Sequence, residues 1–554
     1  MGGSNNETGG KKKIVSVHWF RHGLRLHDNP ALLESLRNAD EFYAIFIFDG
    51  EVAGTAKAGY PRMNFLVECL QDLDANLRKV GTRLFVLYGQ PEKVFHNLFQ
   101  EWGVNRVTFE QDPEPVWQER DAKVRAICNS AGVQYVEMVS HTLWEPQLII
   151  SANGGSPPLT YEMFCQVKKM VDQPPRPCPL PDFSGIKLPD PKTPNAKFHV
   201  PTCEELGVYP ESEQQKNPLS GYKGGESRAL ELLAERIGKE QQAFKQGRYM
   251  PNQSNPDLTG LPMSLSPHLR FGTVSVRRFY WAIRQAYMEV NNCEEVPDSI
   301  TGQLIWREYF YCMSVNNPKY NVMKDNPICL DIDWYYNQEQ LDRWARGQTG
   351  YPWIDACMRQ LRDEGWVHHV CRQSVACFLT RGDLWIDWEL GLAMFDKYLL
   401  DADWSVNAGN WMWVSSSAFE KVLQCPRCIC PVYYGRRMDP TGDYVRRYVP
   451  EVKNLPLLYQ FEPWNAPKDV QEKAGCVVGR DYPPPMVDHK QASKMCRAKM
   501  EKIKNKCRDI PHIAPSNAEE VRTFIWMDSK EMAESTTQCQ QHGFHRAMKA
   551  NLGP

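Results

Sequence analysis

Between residues 14 and 139 the chain alternates five apolar, β-rich runs (IVSVHWF, FYAIFIFD, RLFVLYG, RVTFEQD and VQYVEMV) with helical stretches. Strands that are apolar almost throughout must be covered on both faces, and the helices between them supply the cover. The pattern therefore predicts a parallel sheet of five strands. Two of the intervening segments, MNFLVECLQDLDANLRKV and PEKVFHNLFQEW, carry apolar residues three and four apart, as helices packed on a sheet require. A dinucleotide-binding unit would show a GxGxxG turn after its first strand, and WFRHGLRLHDNP has none. The expected domain, residues 14–145, is thus Rossmann-like in layout, with any dinucleotide held elsewhere in the chain.

Residues 174–195, PPRPCPLPDFSGIKLPDPKTPN, hold too many prolines for a helix or a central strand. They mark residues 146–220 as a proline-rich interdomain linker. Beyond Gly221 the pattern turns helical, with ESRALELLAERIGKEQQAF, VRRFYWAIRQAYMEV, EQLDRWARG and VCRQSVACFLTRG as its signals. A second, all-helical domain is expected over residues 221–505, ending in a basic helix, KQASKMCRAKMEKIKNK. Residues 506–554 form a polar tail with one apolar cluster, Phe524, Ile525 and Trp526. No internal repeat is present.

Composition limits the partners. The 65 basic and 67 acidic residues leave a net charge of −2, which gives no overall field for a polyanion. No apolar stretch is long enough to span a bilayer. Eighteen Cys lie scattered through apolar segments and the first residues lack an apolar signal core, so reduced thiols and a nuclear and cytoplasmic location are expected. The unusual feature is aromatic: 17 Trp, 23 Tyr and 22 Phe are many large rings to pack or to use.

In LTGLPMSLSPHLRFG, Ser264 and Ser266 precede Pro267, the signature of a helix start whose free N–H groups either take a phosphate or are simply capped. LLDADWSVNAGNWMW crowds Asp401, Asp403, Asn407 and Asn410 among Trp404, Trp411 and Trp413, in a stretch poor in helix signals. Polar groups among indoles must be paired if buried, and such a mixture suits a heteroaromatic ring. In WVHHVCRQSVACFL a buried Arg372 would need a carboxylate, for which Asp401 is the candidate; His368 and His369 read equally well as core histidines. Trp385 and Trp388, three apart, are expected on one helix face, either as packing or, with Trp334 and Trp411, as a row of oxidisable rings. Cys425, Cys428 and Cys430 supply half a zinc site with no second half in view, so no metal is expected.

Five blocks, WFRHGLRLHDNPALL (Trp19–Leu33), SLSPHLRFG (Ser264–Gly272), GQLIWREYFY (Gly302–Tyr311), VACFLTRGDLW (Val375–Trp385) and DADWSVNAGNWMWVSSSAF (Asp401–Phe419), resemble the photolyase/cryptochrome family in order and spacing. The resemblance spans about residues 14 to 505. It implies that a U-shaped FAD lies in the helical domain, with Ser264, Leu265 and Ser266 at its phosphates and Arg228 nearby. It further implies that Gln303, Trp306, His369, Arg372, Asp401 and Asp403 line the remainder, Arg372 and Asp401 as an ion pair beside the isoalloxazine. Trp411, Trp388 and Trp334 match the family's reducing chain, and Trp385 its fourth member. WFRHGLRLHDNPALL, FIFDGEVAGTAKAGYPRMNFL and the tail segment EEVRTFIWMD look most like insect-type, light-sensing animal cryptochromes, whose regulatory tail lays an aromatic cluster in the photolyase substrate groove. One position departs from that type: Asn407 lies where its members usually carry a Cys opposite flavin N5.

Three functions share this fold: a blue-light receptor, a light-independent transcriptional repressor of the circadian clock, and a DNA photolyase. Photolyases of the pyrimidine–pyrimidone lesion carry a second His four residues after the one matching His369. Here that residue is Gln373, which has no useful pKa, so repair of DNA is not expected. The N-terminal blocks and the tail favour the receptor. In that reading FAD is photoreduced through the Trp chain, and Phe524, Ile525 and Trp526 leave a groove beside His369. The implied partners are clock proteins such as Timeless and a ubiquitin ligase, with no DNA substrate and no membrane, and a homo-oligomer as a further option.

Overall fold

The computed structural model describes residues 13–50, 58–189, 198–219, 221–247, 256–294, 296–419 and 428–508. Cys425, Phe524, Ile525 and Trp526 lie outside the described residues.

Strands β1 (Val15–Phe20), β2 (Glu41–Phe48), β3 (Leu84–Tyr88), β4 (Arg106–Glu110) and β5 (Gln134–Met138) form one parallel sheet in the order β3-β2-β1-β4-β5. Val17 lies opposite Tyr43 on one side and Val107 on the other. Side chains alternate between two cores, as the two-residue period of a strand demands. Phe42 and Phe46 join Leu32 and Leu70 on one face, and Ile45 joins Trp19, Phe85 and Val107 on the other. The covering helices are α1 (Pro30–Leu36), α2 (Tyr60–Lys79), α3 (Pro91–Glu101) and α4 (Pro115–Ala131). Helix α1 starts where its sequence dictates: Asn29 accepts the Leu32 N–H at 3.0 Å, and Pro30 has no N–H to satisfy.

The strand order reverses between β1 and β4, the place where doubly wound sheets usually bind ligands. Here that place is filled. Arg21 and Arg25, just after β1, pair with Asp121 at 2.5 Å and Glu110 at 2.9 Å, and His22 meets Asp112 at 2.6 Å. Gly23 has φ +71°, and a Cβ there would press on the Glu110 carboxylate at 3.0 Å. The next residues cross to the helical half: Leu24 N–H donates to the Phe271 carbonyl at 3.1 Å and Arg25 to the Gly272 carbonyl at 2.9 Å. Glu226 accepts the Leu26 and His27 N–H groups at 2.8 and 2.9 Å, and Asp28 accepts from Arg277 at 2.6 Å. WFRHGLRLHDNP is therefore a clasp between two domains, and a phosphate-binding glycine turn has no room in it.

The helical half contains α5 (Pro146–Ala152), α6 (Tyr161–Lys168), α7 (Glu226–Lys245), α8 (Ser266–Phe271), α9 (Val276–Asn291), α10 (Gly302–Ser314), α11 (Pro352–Glu364), α12 (His369–Cys377), α13 (Trp388–Tyr398), α14 (Trp404–Val414) and α15 (His489–Arg508). One core serves most of them, and α5 and α6 belong to it through Ile149, Ile150, Phe164 and Val167. Residues 146–220 are thus not linker throughout. The proline argument holds for the irregular stretch from Gln173 to Phe183, but the apolar spacing of α5 and the Thr160 cap of α6 override it upstream. No disulfide links the described Cys side chains, from Cys69 to Cys496. Among the described residues no helix is long and apolar enough to cross a membrane.

Candidate flavin site and nearby indoles

A cavity of about 730 Å³ opens into the helical domain, walled by α7, the segment before α8, α10, α12, α13 and α14. Its volume is that of a cofactor pocket.

Helix α14 forms despite its weak signals because acids hold its start. Asp403 Oδ1 accepts the Val406 N–H at 2.6 Å, and its Oδ2 accepts the Tyr311 hydroxyl at 3.1 Å. Glu114, from the sheet domain, accepts the Ser405 N–H at 2.9 Å and the Ser405 hydroxyl at 2.8 Å. Two carboxylates thus face the positive end of the helix dipole. Burial, and then the Asp403 charge, push the Glu114 carboxyl up to about 7. The absence of an amphipathic stripe has a simple cause: with Ser405, Asn407, Ala408, Trp411 and Met412 all buried, α14 is enclosed on most sides.

Arg372 donates to both Asp401 oxygens, at 3.0 and 2.8 Å, and the Ser266 hydroxyl donates to the same carboxylate at 2.5 Å. Ser266 is thus turned away from the start of α8, whereas Ser264 Oγ accepts the Ser266 N–H at 3.2 Å. Leu265 occupies the cap position without a side-chain bond, and Ser264 lies 2.8 Å from Ser266, oxygen to oxygen. Asn407 donates its amide to Asp396 at 2.7 Å, leaving its carbonyl oxygen as the remaining acceptor. Burial first, then Arg372, bring His369 down to about 3; its Nε2 lies 3.2 Å from the Gln373 amide nitrogen, from which it accepts. His368 instead caps α12, accepting the Val370 N–H at 3.3 Å. On α10, Gln303 and Trp306 line the cavity, and Trp306 stacks on Tyr161 at 3.9 Å and on Trp413 at 4.6 Å.

Over 543 residues the chain is 49% identical to Cryptochrome-1 of Aedes aegypti, covering 94% of this chain and 99% of that protein. Cryptochrome-1 of Drosophila melanogaster matches at 47% over 533 residues, covering 93% and 98%, and that of Gallus gallus at 46% over 495 residues, covering 88% and 78%. The chain belongs to the photolyase/cryptochrome family. The family description "DNA photolyase" fits residues 16–181, and "FAD binding domain of DNA photolyase" fits residues 300–502. Among solved structures, a bacterial class III photolyase from Agrobacterium tumefaciens superposes with a TM-score of 0.76 at 28% identity, covering 90% of this chain and all of that one. A Synechocystis cryptochrome gives 0.76 at 25% identity, covering 88% of this chain and 100% of its own.

FAD is the cofactor of this cryptochrome-like domain, and the residues present suit it. Arg270 lines the cavity with its Nη1 buried and without a partner among the described residues, as an anionic cofactor would require. Ser264, Leu265, Ser266, Gln303, Trp306, His369, Arg372, Asp401, Asp403, Asn407 and Trp411 are all brought to the same cavity. Arg228 is not. It points along its own helix to Glu231 and Glu235, both at 3.1 Å, and Arg236, two turns further on, lines the cavity instead. Arg236 is held by Glu240, four residues on and itself buried, at 2.7 Å. That i, i+4 pair was the available signal.

Of the four expected indoles, Trp334 and Trp385 are in ring contact. Trp411 packs against Phe395 at 4.9 Å, and Gly391 on α13 touches its ring so closely that any Cβ there would collide with it. Trp388 opens α13 and is fully buried. Trp385 does not share its helix face. A π-helical turn, Phe378–Gly382, and a positive φ of 56° at Trp385 intervene before α13 begins. Trp385 lies against Trp334 instead, ring centres 4.7 Å apart, and donates its N–H to the Asp333 carbonyl at 2.9 Å. The N–H groups of Trp411, Trp388 and Trp334 are buried and without acceptors among the described residues. Cys428 and Cys430 are buried thiols.

Proposed function

We propose that the chain is a blue-light receptor that converts absorbed light into charge separated between its FAD site and a row of indoles, and reports it through its C-terminal tail. Trp411 carries this reading: it lines the cavity, shares α14 with Asn407, and has, among the described residues, no polar partner that would make it a structural hydrogen bonder. FAD supplies a ring that absorbs blue light and, once excited, accepts an electron. Trp411 gives that electron, Trp388 refills Trp411, and Trp334 refills Trp388. An indole whose N–H has no acceptor keeps its proton when oxidised, so each ring passes on a whole charge. Arg270, which lines the cavity with its Nη1 unpartnered among the described residues, leaves the cavity tolerant of an added negative charge.

The tail is the output. Burying Phe524, Ile525 and Trp526 is worth about 1.5 to 3 kcal/mol each, too much to leave in water. We assign the cluster to a groove beside His369. That histidine is neutral at physiological pH, so what light changes for the tail is the charge of the cavity, felt through His369 and Gln373. Clock proteins such as Timeless and a ubiquitin ligase are the partners this reading assigns, in nucleus and cytoplasm. DNA repair is the second reading, raised by the photolyase among the solved neighbours. Gln373, hydrogen-bonded to His369 and unable to titrate, argues against it.

The test combines absorption spectra before and after blue light with protease cutting at residues 515–530. Wild type should bleach its oxidised-flavin band and become more sensitive in light; Trp411→Phe should do neither. Identical cutting in dark and light, with the flavin reduced, would overturn tail release. Catalytic, light-dependent restoration of lesion-bearing DNA would overturn the receptor.

A further inference from the structure

We propose that Lys499 fixes where the electron deficiency comes to rest, by keeping Trp385 neutral so that Trp334 stays oxidised. The inference deepens the reading above and rests on its row of indoles.

Trp334 and Trp385 touch, so an electron passes easily between them and the deficiency settles on whichever ring is easier to oxidise. Their surroundings differ sharply. Trp385 is only 1% exposed and is covered by α15, whose Cys496 and Met500 pack against it. From the same helix Lys499 places its Nζ 4.8 Å from the centre of the Trp385 ring and 3.5 Å from that of Tyr335. An ammonium over an aromatic face is attracted while the ring is neutral. Once the ring has lost an electron, the same contact becomes repulsion between two positive charges in a poorly hydrated place. The Asp333 carbonyl on the Trp385 N–H works the other way, but as one dipole against a full charge. Trp334 is only partly buried and directly follows Asp333, with Asp331 two residues further back, both exposed, so water and nearby acidic chain favour a positive charge there.

The electrons balance within the row. If Trp385 is oxidised, one electron passes to it from Trp334; Trp385 is restored, Trp334 is one electron short, and the electron first taken remains at the FAD site. No proton moves, because the Trp385 N–H faces a carbonyl and the Trp334 N–H is buried without an acceptor among the described residues. Lys499 is a positioning residue, and its half-exposed place on α15 makes replacement compatible with folding.

Pulsed electron paramagnetic resonance on the full, FAD-loaded chain after a blue flash reads the distance between the two unpaired spins. Wild type and Lys499→Arg should give one distance, abolished in Trp334→Phe. Lys499→Met and Lys499→Gln should add a second distance, its share raised by ~10-fold or more, a preference equivalent to one decade in equilibrium constant. That second distance should vanish when Trp385→Phe is added. The same single distance in wild type, Lys499→Met and Lys499→Gln would overturn the role of Lys499 while leaving the row intact. Absence of any spin pair in wild type would overturn the row itself.

Discussion

Asn407 donates its side-chain amide to Asp396, on the neighbouring helix α13, at 2.7 Å. Asn407→Asp would set two carboxylates at that distance, and the new acid must be held above the ordinary carboxylate range. Protonated, it can still donate to Asp396; ionised, it repels. The unfolded chain ionises such an acid near pH ~3.9, so the variant loses stability relative to wild type as pH rises from there and levels off above the raised value. Each unit of that rise costs about 1.4 kcal/mol. Thermal melts should show a wider gap from wild type at pH 8 than at pH 5, and equal gaps would disprove the contact.

Asp401→Asn should remove more than a surface ion pair would. Asp401 is nearly buried and accepts from Arg372 twice and from Ser266 once. Leaving Arg372 unpaired there should cost about 3 kcal/mol. Ser266→Ala, which deletes one donor, should cost about 1 kcal/mol. FAD per protein chain after gel filtration should fall in the same order, and a full complement in Asp401→Asn would contradict the assignment.

Trp411→Phe keeps an aromatic ring between Gly391 and Phe395 but removes the oxidisable indole. Photoreduction should slow by ~100-fold or more, a barrier change of about 2.7 kcal/mol. FAD retention should be unchanged. Stopped illumination without added reductant gives the rate.

His268 titrates far below its usual range, to about 3, chiefly because it is buried, with Arg228 adding to the effect. The unfolded chain takes up the proton first, so this residue's contribution to stability is present above pH ~6.5 and declines as pH falls toward the folded value, by up to about 1.4 kcal/mol per unit. His268→Asn can keep the bond to Thr273, which His268 makes at 2.8 Å, without titrating. Denaturant titrations at pH 7 and pH 5 should therefore show a smaller acid loss in the variant by about 2 kcal/mol. Equal losses would place the histidine elsewhere than in the core.

The sheet was legible because each of its runs is apolar enough to need cover on both faces, and β1 to β5 follow those runs closely. The Arg372–Asp401 pair was legible because a buried guanidinium requires a carboxylate. What stayed hidden depends on contacts between distant parts of the chain. Glu114 and Ser405 are 291 residues apart, and nothing in either segment announces the other. Arg236 and Arg270 reach the cavity, and Arg228 turns away from it, through helix facing alone. WIDWELGLAMF looked like one helix because periodicity cannot register the π-helical turn before it or the left-handed backbone at Trp385. Helix α14 was missed for the opposite reason: enclosed on most sides, it has no stripe to find.

Gly391 gives Trp411 a wall of backbone on one side, and Phe395 closes another. A ring so confined changes its electron count with its atoms almost where they were, and asks little of thermal motion. Illumination of a sample frozen to a glass should therefore still oxidise it, whereas departure of an aromatic tail from a groove needs a solvent that flows. Light at cryogenic temperature would then be recorded and kept, and the response released only on warming, which makes the detector indifferent to climate even where its message is not.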